Sequence, residues 1–289
     1  MFYDEEMLLD IRLNILNKFI DQFIIVESTF SHSGKKRELI FDIEKYKKFK
    51  NKIKYFVVDQ KPSEIETINS YDTDHIKENK TIMNAVWFEN SQRNAINNLL
   101  ISADANDQII ISDLDEIPNL ENINFKNIKN KLILFKQKMF YYKFNLLLDN
   151  MNWCGSKSCK KKDLLSPQWL REVKDKKYPL WRIDTFFSKK KYSNLLQIKN
   201  GGWHFTCLKT PEELEKKLLN FAHHYEFEES GLKINDLKKL ISEKRVMYDH
   251  NVDMRSYKWS GKSILKKIDL DQLPKFISSN IDNYKEWLD

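Results

Sequence analysis

DQIIISDLDEIPNL, Asp107–Leu120, sets three consecutive isoleucines, Ile109, Ile110 and Ile111, before three acids in four positions, Asp113, Asp115 and Glu116. A short β-branched run bounded by polar residues reads as a buried strand. Pro118 then stops the segment. Carboxylates at the end of such a strand are costly unless partners or a ligand meet them, so this junction is where function is expected.

Outward from it, the same alternation repeats. Upstream, EEMLLDIRLNILNKFI spaces Leu8, Leu9, Ile11, Leu13, Ile15, Leu16 and Phe19 as a helix does, and DQFIIVEST reads as a strand over Phe23–Val26 that ends at Glu27 and Ser28. The polar FSHSGKKRE has the composition of a ligand-facing connection, KIKYFVVD reads as a second strand, and NAVWFENSQRNAINNLLISA as a helix. Helices and strands in alternation predict an α/β fold with a mainly parallel central sheet. Ligands gather at the carboxyl ends of strands in such sheets, and Glu27 and Asp113–Glu116 both lie there. Beyond residue 130, KLILFKQKMFYYKFNLLL, PLWRIDTFFS and LLQIKNGGWHFTCL predict further strands. TPEELEKKLLNFAHHY carries a full helix-start signal, with Thr210 as cap, Pro211 first and Glu213 three after the cap. No repeat or linker divides the chain, so one domain over 1–289 is expected, ending in C-terminal helices.

The 289 residues suffice for one large core. The net charge of +7 comes from lysines scattered along the chain, the pattern of a solvated face; nucleic acid, anionic lipid and phosphorylated small molecules are the partners a positive surface attracts. Basic residues spread in this way argue against a nucleic-acid-binding module, which concentrates them on one surface. The basic loop Lys157–Lys162 is the segment expected to touch anionic lipid, as a peripheral contact. Three cysteines make no disulfide framework. No run approaches the ~18 apolar residues of a membrane span, and the start of the chain has no basic-then-apolar signal, so a soluble, cytoplasmic protein is expected.

Asp113-x-Asp115 is a way to present oxygen ligands to Mn²⁺ or Mg²⁺, because side chains two apart on an extended segment point the same way. His204, after Gly201 and Gly202 in GGWHF, is a further metal-ligand candidate, since adjacent glycines allow close backbone approach. Arg93 can clamp a diphosphate or pair with Glu89 one turn earlier. Lys35, Lys36 and Arg37 in SGKKR offer positive charge to phosphate without the glycines of a P-loop. Fingerprints of serine hydrolases, zincins and dinucleotide enzymes are lacking. A metal-dependent phosphohydrolase or nuclease remains the rival reading, though it calls for a second set of acids or histidines.

In order along the chain, FYDEEMLLDIRLNIL, DQFIIVESTFSHSGKKR, WFENSQRNAI, IIISDLDEIP, GGWHFTCLKTPEELEKKL and LPKFI resemble the family of β-1,4-mannosyl-glycoprotein 4-β-N-acetylglucosaminyltransferases, glycosyltransferase family 17. The resemblance implies a GT-A-like nucleotide-sugar fold, an inverting mechanism and a UDP-GlcNAc-like donor. On it, residues 1–130 are the nucleotide-sugar half and 131–289 the acceptor-side half. Asp113 and Asp115 would hold Mn²⁺ or Mg²⁺ against the donor diphosphate, with His204 as a further contact. Glu27 and Ser28 would meet the nucleoside, and Arg93 and Lys35 the phosphates. Inversion calls for a base near the acceptor hydroxyl; Asp184, Glu116 and Glu226 are the candidates, Asp184 first. Trp181 and Trp203 are candidates for stacking on sugar faces. The chain begins directly at the catalytic region, so the expected acceptor is a bacterial or viral surface glycan rather than a secretory glycoprotein.

Overall fold

A computed structural model describes residues 1–179, 181–250, 258, 259 and 261–289. Helix α1 (Glu6–Leu16) leads into strand β1 (Phe23–Ser28), which pairs in parallel with β2 (Ile53–Val58). Leu8, Leu9, Ile11, Leu13 and Leu16 of α1 enter a core shared with Ile117, Phe135, Phe140 and Phe205, each fully buried side chain contributing roughly 1.5–3 kcal/mol. Helix α2 (Asp74–Asn94) buries Ala85, Phe88, Gln92 and Arg93. A buried arginine at the end of a helix has to find acceptors, and Arg93 finds them in Glu89 one turn earlier and in Asp113 of the opening stretch.

Strands β3 (Gln108–Ile111), β4 (Glu116–Pro118), β5 (Leu132–Phe135), β6 (Gln137–Tyr141), β7 (Leu146–Trp153) and β8 (Lys157–Lys160) follow. Then come helices α3 (Pro167–Glu172) and α4 (Asp184–Phe187), strands β9 (Leu195–Ile198) and β10 (Gly202–Thr206), and helices α5 (Pro211–Leu218), α6 (His224–Ser230) and α7 (Ile234–Ser242). Strand β11 (Lys266–Lys267) and helix α8 (Lys275–Ser279) complete the order. Helix α5 starts as its sequence predicts: Thr210 and Glu213 form a reciprocal capping box with Pro211 in the first turn. PLWRIDTFFS is not the expected strand. Its described part holds the single-turn α4, while Leu180 lies outside the described residues.

The mainly parallel central sheet of a GT-A-like fold is not what forms. The fold is α/β, but its strands make three sheets: β1-β2, a four-stranded sheet β3-β8-β5-β9, and a five-stranded sheet β11-β7-β6-β10-β4. The two larger sheets are mixed. β3–β8, β5–β8, β6–β7, β7–β11 and β4–β10 run antiparallel, and among the described residues only β5–β9 and β6–β10 run parallel. The βαβ-like alternation of the first half holds for β1 and β2 alone. Strand β3 instead takes β8, from the second half, as its neighbour.

Three of the connections between the large sheets are very short: β5 to β6 through Lys136, β7 to β8 through residues 154–156, and β9 to β10 through residues 199–201. These pairs keep their order in both sheets, β8-β5-β9 and β7-β6-β10. β3 and β4 do not. β3 lies outside β8 at one edge and β4 lies outside β10 at the other, so Ser112–Asp115 crosses the seam between the sheets. The glycines make the seam close-packed. A Cβ on Gly201 would stand 2.9 Å from backbone atoms of Phe135, Lys136 and Ile198, and one on Gly202, at φ +131°, would stand 2.1 Å from the Ile117 carbonyl oxygen. The close approach anticipated from GGWHF is therefore real, and it sets His204 opposite Glu116 in the β10–β4 register.

Candidate active site

The acid-rich crossing is held by three arginines, each from a different helix. Arg12 of α1 donates to the carbonyl oxygens of Asp113 (3.2 Å) and Glu116 and to the Ser112 hydroxyl. Arg93 of α2 reaches Asp113 Oδ1 at 3.1 Å and Glu89 Oε1 at 2.7 Å. Arg171 of α3 reaches Asp113 Oδ2 at 2.7 Å and spans both oxygens of Glu116 at 2.7 and 3.0 Å. Glu116 is buried and accepts two further bonds, from Trp153 Nε1 (2.6 Å) and the Asp113 amide (2.9 Å). Burial alone would push the Asp113 carboxyl up, but the guanidiniums of Arg171 and Arg93 outweigh it and hold the group well below the usual carboxylate range.

This arrangement corrects the D-x-D reading. The two aspartates were expected on an extended segment, yet the chain turns between them, with the Glu116 amide donating to the Asp113 carbonyl at 3.2 Å. Asp113 is thereby turned to the arginines and Asp115 to His204, whose Nε2 stands 3.5 Å from Asp115 Oδ2. Among the described residues no three His, Cys, Asp or Glu side chains gather into a group that would hold a metal ion. As arranged, the two aspartates face different partners and do not converge as a D-x-D pair.

A cavity of about 220 Å³ opens beside the crossing, lined among others by Glu5, His32, Glu89, Asp113, Asp115 and Lys217. The Glu5 carboxylate pairs with Lys217 at 3.1 Å and accepts from the Tyr3 and Asp4 amides. Burial opposes the charge on Lys217, but Glu5 and Asp115 more than offset it and hold the ammonium above the ordinary lysine range. Burial pushes the His32 imidazole down, so it stands neutral beside Gln92, whose Oε1 is 3.0 Å from Nε2. Burial also pushes Asp115 up, and His204 and then Lys217 reverse this, keeping it ionised at neutral pH. Among the described residues Asp115 Oδ1 accepts no hydrogen bond. It is the one acid of the crossing with an oxygen free for another molecule.

The structure thus brings Arg93, Asp113, Asp115, Glu116 and His204 together. It puts the other sequence candidates elsewhere. Glu27 is fully buried and accepts from Arg37 (3.0 Å), the Ile40 and Phe41 amides and the Tyr55 hydroxyl (2.7 Å), which anchors the 37–41 loop. Ser28 is buried and its hydroxyl accepts from the Phe30 amide. Lys35 is exposed, whereas its neighbour Arg37 lines the cavity. Asp184 is bound by Arg182 (2.6 Å) and Lys191 (2.8 Å) on α4. Glu226 pairs with His223, a cavity-lining residue, at 2.9 Å. Trp203 donates to the Gln272 carbonyl, and Trp181 points into solvent. Lys157 is no lipid contact: it is buried, and its ammonium donates to the carbonyls of Arg171 and Val173 at the end of α3.

Sequence reasoning missed Arg12, Arg171, His32 and Lys217. Arg12 did leave a signal, a cation set between Ile11 and Leu13 in an apolar helix. Arg171, in the basic LREVKDKK, looks like any solvated charge. Gly155 is a further dependency. A Cβ there would lie 1.8 Å from Glu116 Oε1, while its φ lies outside the left-handed region. Gly155→Ala is therefore expected to destabilise by about 3 kcal/mol, read by denaturant unfolding. A loss below 1 kcal/mol would mean that Glu116 is not pinned.

An α/β scaffold thus carries an ion-paired acid loop beside a partly open cavity. The family model described as Glycosyltransferase family 17 matches residues 1–288. The chain belongs to that family, and its activity is sugar transfer. No curated protein and no solved structure matches it.

Proposed function

We propose that this glycosyltransferase moves N-acetylglucosamine from UDP-GlcNAc onto a glycan acceptor, with inversion, in the cavity beside the acid crossing. The supporting observation is the state of Asp115: ionised, facing the cavity, with an oxygen that no protein group occupies. Asp113 and Glu116 have every carboxylate oxygen bonded to arginine. Asp115 takes the proton of the acceptor hydroxyl. The hydroxyl oxygen bonds to C1 of the sugar as the bond from C1 to the β-phosphate oxygen breaks, and the electron pair leaves with UDP. Arg37 and Lys217 line the same cavity and meet the negative charge that develops on the diphosphate. The cavity is smaller than the ~300–1,000 Å³ of typical small-molecule sites, so it takes the reacting end of the donor and leaves the nucleoside outside.

A panel of nucleotide sugars, read by thermal shift, tests the donor. UDP-GlcNAc is expected to raise the melting temperature most, since a ligand at 100 times its Kd adds about 2.7 kcal/mol. Running the panel with Mn²⁺, with Mg²⁺ and with chelator decides whether a divalent cation is required. No shift with any donor under any of these conditions would sink the proposal.

A further inference from the structure

Residues 174–191 leave the end of α3, three positions after Arg171, and return to it. The Lys174 amide donates to the Lys190 carbonyl (2.7 Å), and Trp169 Nε1 donates to the Lys189 carbonyl (2.6 Å). This flap carries seven basic side chains, Lys174, Lys176, Lys177, Arg182, Lys189, Lys190 and Lys191, against two acids, Asp175 and Asp184, a net of +5. Both acids are already paired, Asp175 with Lys136 and Asp184 with Arg182 and Lys191. Lys190 is paired with Glu172. Lys174, Lys176, Lys177 and Lys189 have no acidic partner among the described residues. Lys176, Arg182 and Lys191 gather around the Tyr178 ring at 6.0, 5.7 and 5.9 Å.

Between these cations the flap holds three large apolar side chains in solvent: Trp181 at 77% exposure, Ile183 at 71% and Phe187 at 85%. Single exposed apolar residues are ordinary, but three within one short segment need a partner. We infer that the 174–191 flap is a docking surface for an anionic lipid bilayer. Lysine is depleted at the cores of protein–protein interfaces. Trp and Phe framed by lysines are instead the composition that inserts at the headgroup boundary while the charges meet anionic lipid. No helix among the described residues is long and apolar enough to cross a membrane, so attachment here is peripheral. The inference stands apart from the sugar-transfer reading, because it uses none of the cavity residues.

Co-sedimentation of the full chain with phosphatidylcholine vesicles, with and without phosphatidylglycerol, tests it. Binding is expected only with the anionic lipid and is expected to weaken as salt rises. The triple variant Trp181→Ala/Ile183→Ala/Phe187→Ala and the triple variant Lys176→Glu/Lys177→Glu/Lys189→Glu are each expected to bind at least about tenfold more weakly. Both sets are surface residues, so an unchanged melting temperature certifies the fold. Wild-type chain that ignores anionic vesicles overturns the inference, as does binding that survives both variants. Sedimentation velocity supplies a further check: self-association that the apolar variant abolishes would show the flap covering a second copy, and would overturn it too.

Discussion

Arg171→Met is expected to cost roughly 3–5 kcal/mol of stability, a fall in melting temperature on the order of 10 °C. Methionine keeps most of the stem, so the loss isolates the charge. Among the described residues Arg171 alone pairs with the carboxylates of both Asp113 and Glu116. Without it, Glu116 keeps Trp153 and an amide, and Asp113 keeps Arg93, but a buried acid has lost its counter-charge. Removing one partner of a buried pair is costly because the other stays desolvated. The pH dependence gives an independent reading. Asp113 has a folded pKa far below its unfolded value near 3.8, so its stabilisation is complete above that pH and drains away as pH falls below it. Protonation relieves the unpaired acids of the variant, so the gap between wild type and Arg171→Met should narrow below about pH 4. A gap that is constant with pH, or a cost below 1 kcal/mol, would mean that the three-arginine clamp does not hold the crossing.

Asp115→Asn is the converse case. It is expected to lower kcat for sugar transfer by about 10²–10⁴-fold, the usual weight of a general base, while the melting temperature stays within a few degrees. The near-isosteric amide keeps shape and loses basicity. Asp115 loses its charge contacts with His204 and Lys217, but the amide can keep the geometry and Lys217 keeps its pair with Glu5, so the structural cost stays small beside the loss of basicity. Glu89→Gln is the control. Glu89 also lines the cavity and gives only Oε1 to Arg93, so it is the other carboxylate with capacity to spare. Transfer that survives Asp115→Asn but is lost in Glu89→Gln would move the base from the crossing to α2. In the same assay Asp184→Asn, in the flap, is expected to leave kcat within about twofold, since its two cations already satisfy it.

Much of this was legible in the linear chain because it depends on near neighbours. Helix α1 follows from leucine spacing, and α5 follows from Thr210, Pro211 and Glu213. The close approach at Gly201 and Gly202 follows from the absence of Cβ atoms, and the importance of Asp113–Glu116 follows from placing acids beside isoleucines. Apart from the partners of the two glycines, Phe135 and Ile117, which lie far off in sequence, these features are settled by atoms within a few residues of one another. The role of each acid was not. Asp113, Asp115 and Glu116 look equivalent on paper, and the expected metal pair assumed an extended backbone where the chain turns.

Strand direction was equally hidden, because a short apolar strand reads the same whichever way its neighbour runs. β3 pairs with β8, some fifty positions later, and that choice replaces a parallel sheet with two mixed ones joined at a seam. Arg12, Arg93 and Arg171 are similarly scattered along the chain, yet all three converge on Asp113. Local spacing and side-chain chemistry therefore set the helices, the turn residues and the reactive stretch. The meeting of distant segments set which carboxylate is neutralised and which is left to react, since a charge acquires its pKa and its partners only when burial removes the water around it.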